Sequence, residues 1–374
     1  MKRILRVLTI ILSLFLLVTG SGIQAQNDHI SIIPVRSVGY LMAVSSDARL
    51  IATSELSAIH NDEVLPEYLP IHVFNSESRE EIFTLEGFTD YASSLAFNED
   101  GSLLASYHPN GWIYLWDMTN GTLIREIPSI PLSPAILRFI PGRNLLIQTT
   151  VTGFLPTIMV WDLDTGAIVS MLMERFNSRG QLMDYMSEAR APESIIDVVL
   201  VDEQTVIVST ANNNIIEWNI STDERRILRD DEETLPYFDI RKIYLTPDGE
   251  TLVYNHVRNE TVYLLNMRDR TETPLFERDV ELVATASDAD VIAWVMNVNN
   301  TPAVLTSSLA NFTDSNGIVL PEPQFSPEFL RLRTPLASMA ISPDGSRIIL
   351  GGFYNEDGEN VIAVIDNVNV NGNG

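Results

Sequence analysis

An all-β fold built from a repeated four-stranded sheet is predicted by three observations. A strand–turn–strand phrase recurs seven times. The runs between turns are short and rich in Val, Ile, Thr and aromatic residues, which suit a pleated, half-buried surface. The turns carry Asp-Gly, Asn-Gly or Pro-Asp-Gly, where Gly supplies the positive φ of a tight hairpin.

The phrase is clearest from Ser94 to Gly121. "SLAFNEDGSLLASYHPN" reads as strand, Asp-Gly turn, strand and polar turn, and "GWIYLWDMTNG" adds a third strand ending in Trp116–Asp117. The other copies run "MAVSSDARLIAT" (Met42) with "IHVFNSES" (Ile71), "ILRFIPGRNLLIQT" (Ile136) with "TIMVWDLDTG" (Thr157), and "VVLVDEQTVIVST" (Val198) with "NIIEWNIST" (Asn214). They continue with "IYLTPDGETLVYN" (Ile243) and "TVYLLNMRD" (Thr261), "VATASDADVIAWV" (Val283) and "TPAVLTSS" (Thr301), and "MAISPDGSRIILG" (Met339) and "NVIAVIDN" (Asn360). Equivalent third-strand positions are Phe74, Trp116, Trp161, Trp218, Leu265, Thr306 and Ile365, spaced by 42, 45, 57, 47, 41 and 59 residues. A period of roughly 40 to 60 residues with several strands per unit signals a propeller or an array of sheets.

A fourth strand follows in each unit, as in "TLIREI" after Gly121, "AIVSMLM" after Gly166 and "RRILR" after Glu224. One four-stranded sheet leaves both faces apolar, and stacking seven around an axis buries them. The predicted fold is therefore a seven-bladed β-propeller of four-stranded antiparallel blades. "HISIIPV" (His29 to Val35) precedes the first unit, and the last unit ends near Asp366 without a fourth strand. The N-terminal strand is expected to fill that gap and pin the ring shut. The irregular spacing leaves a six-bladed ring open if the sixth unit, with Trp294 on its second strand, pairs differently.

These motifs resemble the tryptophan–aspartate (WD) repeat propellers. The best copy is Leu85 to Gly121, and weaker copies extend the resemblance over about residues 29 to 366. The family's Gly-His before the first strand is Gly87–Phe88 here, and its turn Asp is Asn110. Trp-Asp is kept at Trp116–Asp117 and Trp161–Asp162 and becomes Trp218–Asn219 in the fourth unit. The resemblance implies the fold, with the family's internal hydrogen-bond network mostly absent. It says little about function, because propellers host many functions.

The chain opens with Lys2, Arg3 and Arg6, an apolar run from Val7 to Val18, and small residues up to Ala25. That is the layout of a secretory signal peptide. The run is short for a membrane span, which needs about 20 residues. Residues 1–25 are expected to be removed, leaving one domain over 26–368 and a flexible tail over 369–374. Localisation is then secreted or periplasmic, and the product a soluble monomer with no membrane insertion. The chain has no Cys, so its core must hold without disulfides and a lipoprotein anchor at this site is excluded. Removing residues 1–25 leaves 21 basic against 50 acidic residues, a net charge of −29. Such a surface repels phosphate backbones, so nucleic acid is excluded as a partner.

The turns between the first and second strands are mostly tight, such as Pro247-Asp248-Gly249 and Pro343-Asp344-Gly345. The long connections gather at the opposite end: residues 54–70, 150–156, 174–193, 230–239, 321–335 and 351–359. Insertions clustered on one face of a repeat fold point to a binding face. That face is expected to present Tyr68, Phe88, Tyr91, Tyr107, Phe154, Tyr185, Tyr237, Phe238 and Tyr354 among acidic residues. Aromatic rings bring large contact area at little entropic cost.

No catalytic constellation is evident. The absence of Cys excludes thiol chemistry, and there is no Gly-x-Ser-x-Gly, phosphate-cradling glycine loop or His-Glu-x-x-His. His60, His108 and His256 fall in predicted loops of one face but not side by side, and read as surface histidines. Asp197, Asp239 and Glu281 stand near inner-strand entrances, where converging acids could bind calcium. "SDAD" (Ser287 to Asp290) and "NEDGEN" (Asn355 to Asn360) have the composition of hard-cation loops without the spacing of one. The sequence thus predicts a non-catalytic scaffold for a protein or peptide, with no cofactor. The alternative is a propeller hydrolase or lyase using channel-mouth carboxylates and calcium. Converging acids would favour the enzyme. Inner strands packed with Leu95, Phe97 and Ile341 would favour the scaffold.

Overall fold

The computed structural model describes residues 30–35, 41–54, 70–131, 135–150, 156–173, 195–210, 213–230, 240–246, 248–256, 261–277, 280–286, 289–298, 301–307, 316–318, 338–354 and 360–366. The predicted signal segment and tail lie outside them. No helix among the described residues is long and apolar enough to cross a membrane.

After β1 (Ile30–Val35), the first sheet contains β2 (Leu41–Val44), β3 (Leu50–Ser54), β4 (Ile71–Asn75) and β5 (Glu81–Leu85). The second contains β6 (Ser94–Phe97), β7 (Leu103–His108), β8 (Trp112–Asp117) and β9 (Thr122–Pro128). The third contains β10 (Ala135–Phe139), β11 (Leu145–Thr150), β12 (Pro156–Asp162) and β13 (Ala167–Met173). The fourth contains β14 (Ile195–Leu200), β15 (Thr205–Thr210), β16 (Ile215–Asn219) and β17 (Arg225–Arg229). The fifth contains β18 (Ile240–Leu245), β19 (Thr251–His256), β20 (Thr261–Asn266) and β21 (Glu272–Glu277). The sixth contains β22 (Val280–Thr285), β23 (Ile292–Val298), β24 (Thr301–Ser307) and β25 (Asn316–Ile318). The seventh contains β26 (Ser338–Ile341), β27 (Arg347–Tyr354) and β28 (Asn360–Asp366), with β1 as its outer strand, Ile30 opposite Ile365 and Val35 opposite Asn360. The described strands thus form seven four-stranded sheets, and every adjacent pair is antiparallel. Each of the seven third-strand positions of the repeat lies on the third strand of its sheet.

Local chemistry shapes both hairpins of a unit. In the first hairpin an Asp accepts the amide two residues on: Ser102 N to Asp100 Oδ1 at 2.9 Å, Glu250 N to Asp248 Oδ1 at 2.9 Å and Ser346 N to Asp344 Oδ1 at 2.9 Å. In the second hairpin the acceptor is the last residue of the third strand. Asp117 accepts from Thr119 N at 2.8 Å, Asp162 from Thr165 N at 2.7 Å, Asn219 from Ser221 N at 2.9 Å and Asn266 from Arg268 N at 2.9 Å. Asp and Asn both serve because the turn needs only a side-chain oxygen. The change from Trp-Asp to Trp-Asn in the fourth unit therefore leaves this turn intact.

The residue closing the second hairpin has φ between 61° and 73° in five sheets: Arg79, Gly121, Gly166, Asp223 and Arg270. Gly121 is also required by proximity, since a Cβ there would lie 2.5 Å from the Phe83 ring of the first sheet.

Seven apolar clusters hold the sheets together, each between two consecutive sheets. Leu95 is buried between the first and second sheets with Phe97 partly buried against that cluster, and Ile341 packs in the same way between the sixth and seventh. The cluster between the seventh and first joins Ile33, Ile349, Ile362 and Val364 to Ala48, Ile51 and Phe74. There β26 lies against β2, and Arg347 Nη1 donates to Ser76 Oγ at 3.1 Å. Trp294 is buried between the fifth and sixth sheets.

Candidate functional site

The inner strands carry the carboxylates on which an enzyme would depend. Asp197 sits on β14 beside a register shift, its side chain only 3% exposed. Its Oδ1 lies 3.1 Å from Arg138 Nη2 of β10 and 3.7 Å from Lys242 Nζ of β18. Its Oδ2 accepts from Ile243 N at 3.2 Å, beside the register shift in β18. A buried carboxylate needs such partners to offset its lost hydration. Asp197 therefore ties three consecutive inner strands. Its charge also helps raise the Tyr244 phenol, after the larger effect of burial. Asp239 lies outside the described residues, and Glu281 is placed only as a backbone position on β22. Among the described residues no three His, Asp or Glu side chains gather as a metal site. "NEDGEN" lies outside the described residues except for Asn360, and of "SDAD" only Ala289 and Asp290 lie within them.

The expected aromatic face needs correction at two positions. Phe88 and Tyr107 are buried, at 2% and 0% exposure, and present nothing to a partner. Phe88 packs 4.4 Å from the His108 ring, 5.8 Å from Tyr114 and 6.2 Å from Trp116. The Tyr107 hydroxyl donates to Ile130 O at 2.8 Å, which satisfies a phenol placed in the core. Tyr91 is half-buried, and Tyr354 lies on β27. Tyr68, Phe154, Tyr185, Tyr237 and Phe238 lie outside the described residues, as do most of the long connections.

The histidines are also not where the sequence places them. His108 and His256 end the second strands of their sheets and are buried, at 0% and 4% exposure. His60 lies outside the described residues. His108 Nδ1 faces Asp90 O at 2.7 Å, and Nε2 faces Ser106 Oγ at 3.1 Å. A carbonyl can only accept, so Nδ1 carries the hydrogen and Nε2 accepts from Ser106. Ser106 Oγ in turn accepts from Trp116 Nε1 at 3.2 Å. Burial lowers the His108 pKa to about 4, so this proton chain holds a neutral ring.

No family model matches the chain. In sequence it is similar to the small ribosomal subunit protein RACK1z of Arabidopsis thaliana, 31% identical over 113 residues. It is also similar to the cross-pathway control WD-repeat protein 2 of Flammulina velutipes, 26% identical over 136 residues. The first match covers 30% of this chain and 33% of the relative, the second 36% and 40%, so the chain spans well under half the length of these curated relatives. In structure it is similar to U3-55K with a TM-score of 0.62 at 13% identity, over 91% of this chain and 99% of that one. The WD40 repeats of RRP9 match with a TM-score of 0.62 at 14% identity, over 91% and 97%. The fold is that of a WD-repeat β-propeller.

Within this propeller the internal network is not lost in the second sheet; it is rebuilt. Phe88 stands where the family has its His, and the imidazole comes instead from His108 on the second strand. In the third sheet, Gln148 holds the position equivalent to Ser106, and its Oε1 accepts from Trp161 Nε1 at 3.0 Å and from Ser129 Oγ at 2.6 Å. In the fourth sheet that position is Val208, which offers no acceptor. The Trp218 indole turns to Asp223 Oδ1 at 2.8 Å, under the Arg225 guanidinium 3.9 Å from the ring centroid. Sequence reasoning missed all three arrangements. The signal was the residue two places after the Trp partner on the second strand: polar Ser106 and Gln148, apolar Val208.

Proposed function

We propose that this chain is a non-catalytic scaffold that binds a protein or peptide outside the cytoplasm, built as a seven-bladed ring closed by β1. The observation that carries the reading is Asp197. Of the three candidate inner-strand carboxylates, the one whose side chain is described is engaged as a tie between inner strands. Support for the ring comes from the pairing of β1 with β28 and from the apolar cluster between the seventh and first sheets. Support for export comes from the basic, apolar and small-residue segments that open the sequence. The relatives' names, a ribosomal subunit protein and a cross-pathway control protein, speak of assembly and regulation rather than catalysis. The partner is proposed to meet the face of long connections, with Tyr91 and Tyr354 at its base.

Site-specific photo-cross-linking in an exporting host tests this. A photoreactive residue at Tyr91 or Tyr354 should capture a discrete protein, and the same residue at Thr119 or Asp269 on the opposite turns should not. Equal capture from both ends, or none from either, contradicts the reading. Stoichiometric calcium with a large melting shift on chelation would instead support the hydrolase or lyase alternative.

A further inference from the structure

Among the described residues, six large apolar side chains stand exposed: Ile82, Leu123, Ile124, Ile168, Val169 and Met171. All six lie on the outer strands β5, β9 and β13 of three consecutive sheets. Three of them occupy one equivalent position. Register shifts opposite Phe74, Trp116 and Trp161 leave Ile82, Ile124 and Val169 without a cross-strand partner. In the fourth sheet no register shift falls opposite Trp218, and the residue after its partner Arg225 is the charged Arg226. A bulge turns its edge away from strand addition and aims one side chain outward, so contact here is made by side chains. β13, "AIVSMLM", contains neither a charge nor a proline, the usual guards of an exposed strand.

The apolar rim runs into a groove of about 330 Å³ between the third and fourth sheets. Val169 and Ser170 of the third sheet share its lining with Arg143, Glu203, Gln204 and Ser221, so the groove is more polar than apolar. The charged residues around the rim select its occupant. Glu80, Glu126, Asp164, Asp202 and Glu203 are exposed along it. Arg143 pairs with Glu203 at 2.7 Å and Arg125 donates to Asp164 O at 2.7 Å, while Arg79 is exposed beside Glu80. A second copy would bring a body of the same net charge, −26, and an anionic lipid surface would be repelled.

We infer that the outer rim of the first three sheets, with its groove, is a docking surface for an apolar, cationic segment of another protein. Its apolar side chains cover Ile124, Val169 and Met171, and its Lys or Arg residues face Glu126, Asp164 and Asp202 and the polar lining of the groove. The surface is separate from the face of long connections and stands without it.

The test uses the full chain and two labelled synthetic amphipathic peptides, one of Leu and Lys and one of Leu and Glu, read by fluorescence anisotropy. The Leu-Lys peptide should bind saturably and the Leu-Glu peptide about tenfold or more weakly. Replacing Ile124, Val169 and Met171 together by Thr leaves charge unchanged and keeps a strand-forming residue at exposed positions. It should weaken Leu-Lys binding about tenfold, consistent with loss of buried apolar area. Asp269→Asn, on the fifth sheet, should leave binding unchanged. Absence of saturable binding overturns the inference. Undiminished binding by the triple variant, or equal weakening by Asp269→Asn, assigns the interaction to general electrostatics and also overturns it. Self-association of the wild type that the triple variant abolishes would make a second copy the occupant and overturn the proposed partner.

Discussion

The first and second sheets share strand order, turn chemistry and outer bulge, yet they treat the same core position differently. The second has Trp116 on its third strand and Ser106 on its second, and His108 completes a chain from indole to backbone carbonyl. The first has Phe74 and Thr53 in the equivalent places. Phe offers no N–H, and Thr53 Oγ1 is buried without a partner among the described residues. The lesson is that the third-strand aromatic is an apolar plug first. The polar chain behind it is an addition that each sheet makes, moves or loses according to what its second strand offers.

The comparison is sharpened most by pH. The folded His108 pKa, about 4, lies below the ordinary value of 6.5. Between those values the unfolded chain binds the extra proton, so this stability is fully present above pH 6.5 and is lost as pH falls toward 4. The loss integrates to about 3 kcal/mol. Chemical denaturation of the wild type should show this slope, and His108→Gln should flatten it. Hydrogen-bonded Asp117, Asp162 and Asp269, held below the usual carboxylate range, lose their contribution at lower pH still.

A smaller effect separates the second and fourth sheets. Trp116→Phe removes the donor to a fully buried Ser106 and should cost about 2 kcal/mol beyond ring shrinkage. Trp218→Phe releases Asp223, whose side chain is 54% exposed and turns to water, so it should cost about 1 kcal/mol less. Equal losses in urea unfolding would break the distinction.

In the first sheet the missing donor can be restored. Phe74→Trp should bring an indole N–H to Thr53 and stabilise by about 1 kcal/mol, provided the larger ring fits. Thr53→Val in the same background should remove the gain. Smallest is the turn residue Arg270, at φ 62°. Arg270→Gly should raise stability by about 0.5 kcal/mol, where the same change at an ordinary φ would lower it.

Much of the fold was legible because its signals are local. Asp-Gly turns, alternating apolar runs and the third-strand aromatic all lie within about ten residues of one another, and each third-strand position from Phe74 to Ile365 is on the strand expected. The candidate site was less legible because burial and ion pairing are settled between sheets. Tyr107 and Phe88 read as loop aromatics, yet one lies on a central strand and the other fills the gap between sheets. Asp197 read as a free channel acid, yet its partners Arg138 and Lys242 come from neighbouring units. His108 read as a surface residue because the sequence pattern places it in the loop after the second strand, yet it ends that strand in the core.

The central claim is that the second sheet carries a neutral histidine wired between Trp116 and a backbone carbonyl. Nitrogen-15 NMR of His108 tests it most directly. The account expects a neutral ring protonated at Nδ1, with Nε2 as acceptor, persisting from pH 7 down to near 4. A His108 that titrates near 6.5, or carries its hydrogen on Nε2 at neutral pH, would contradict it.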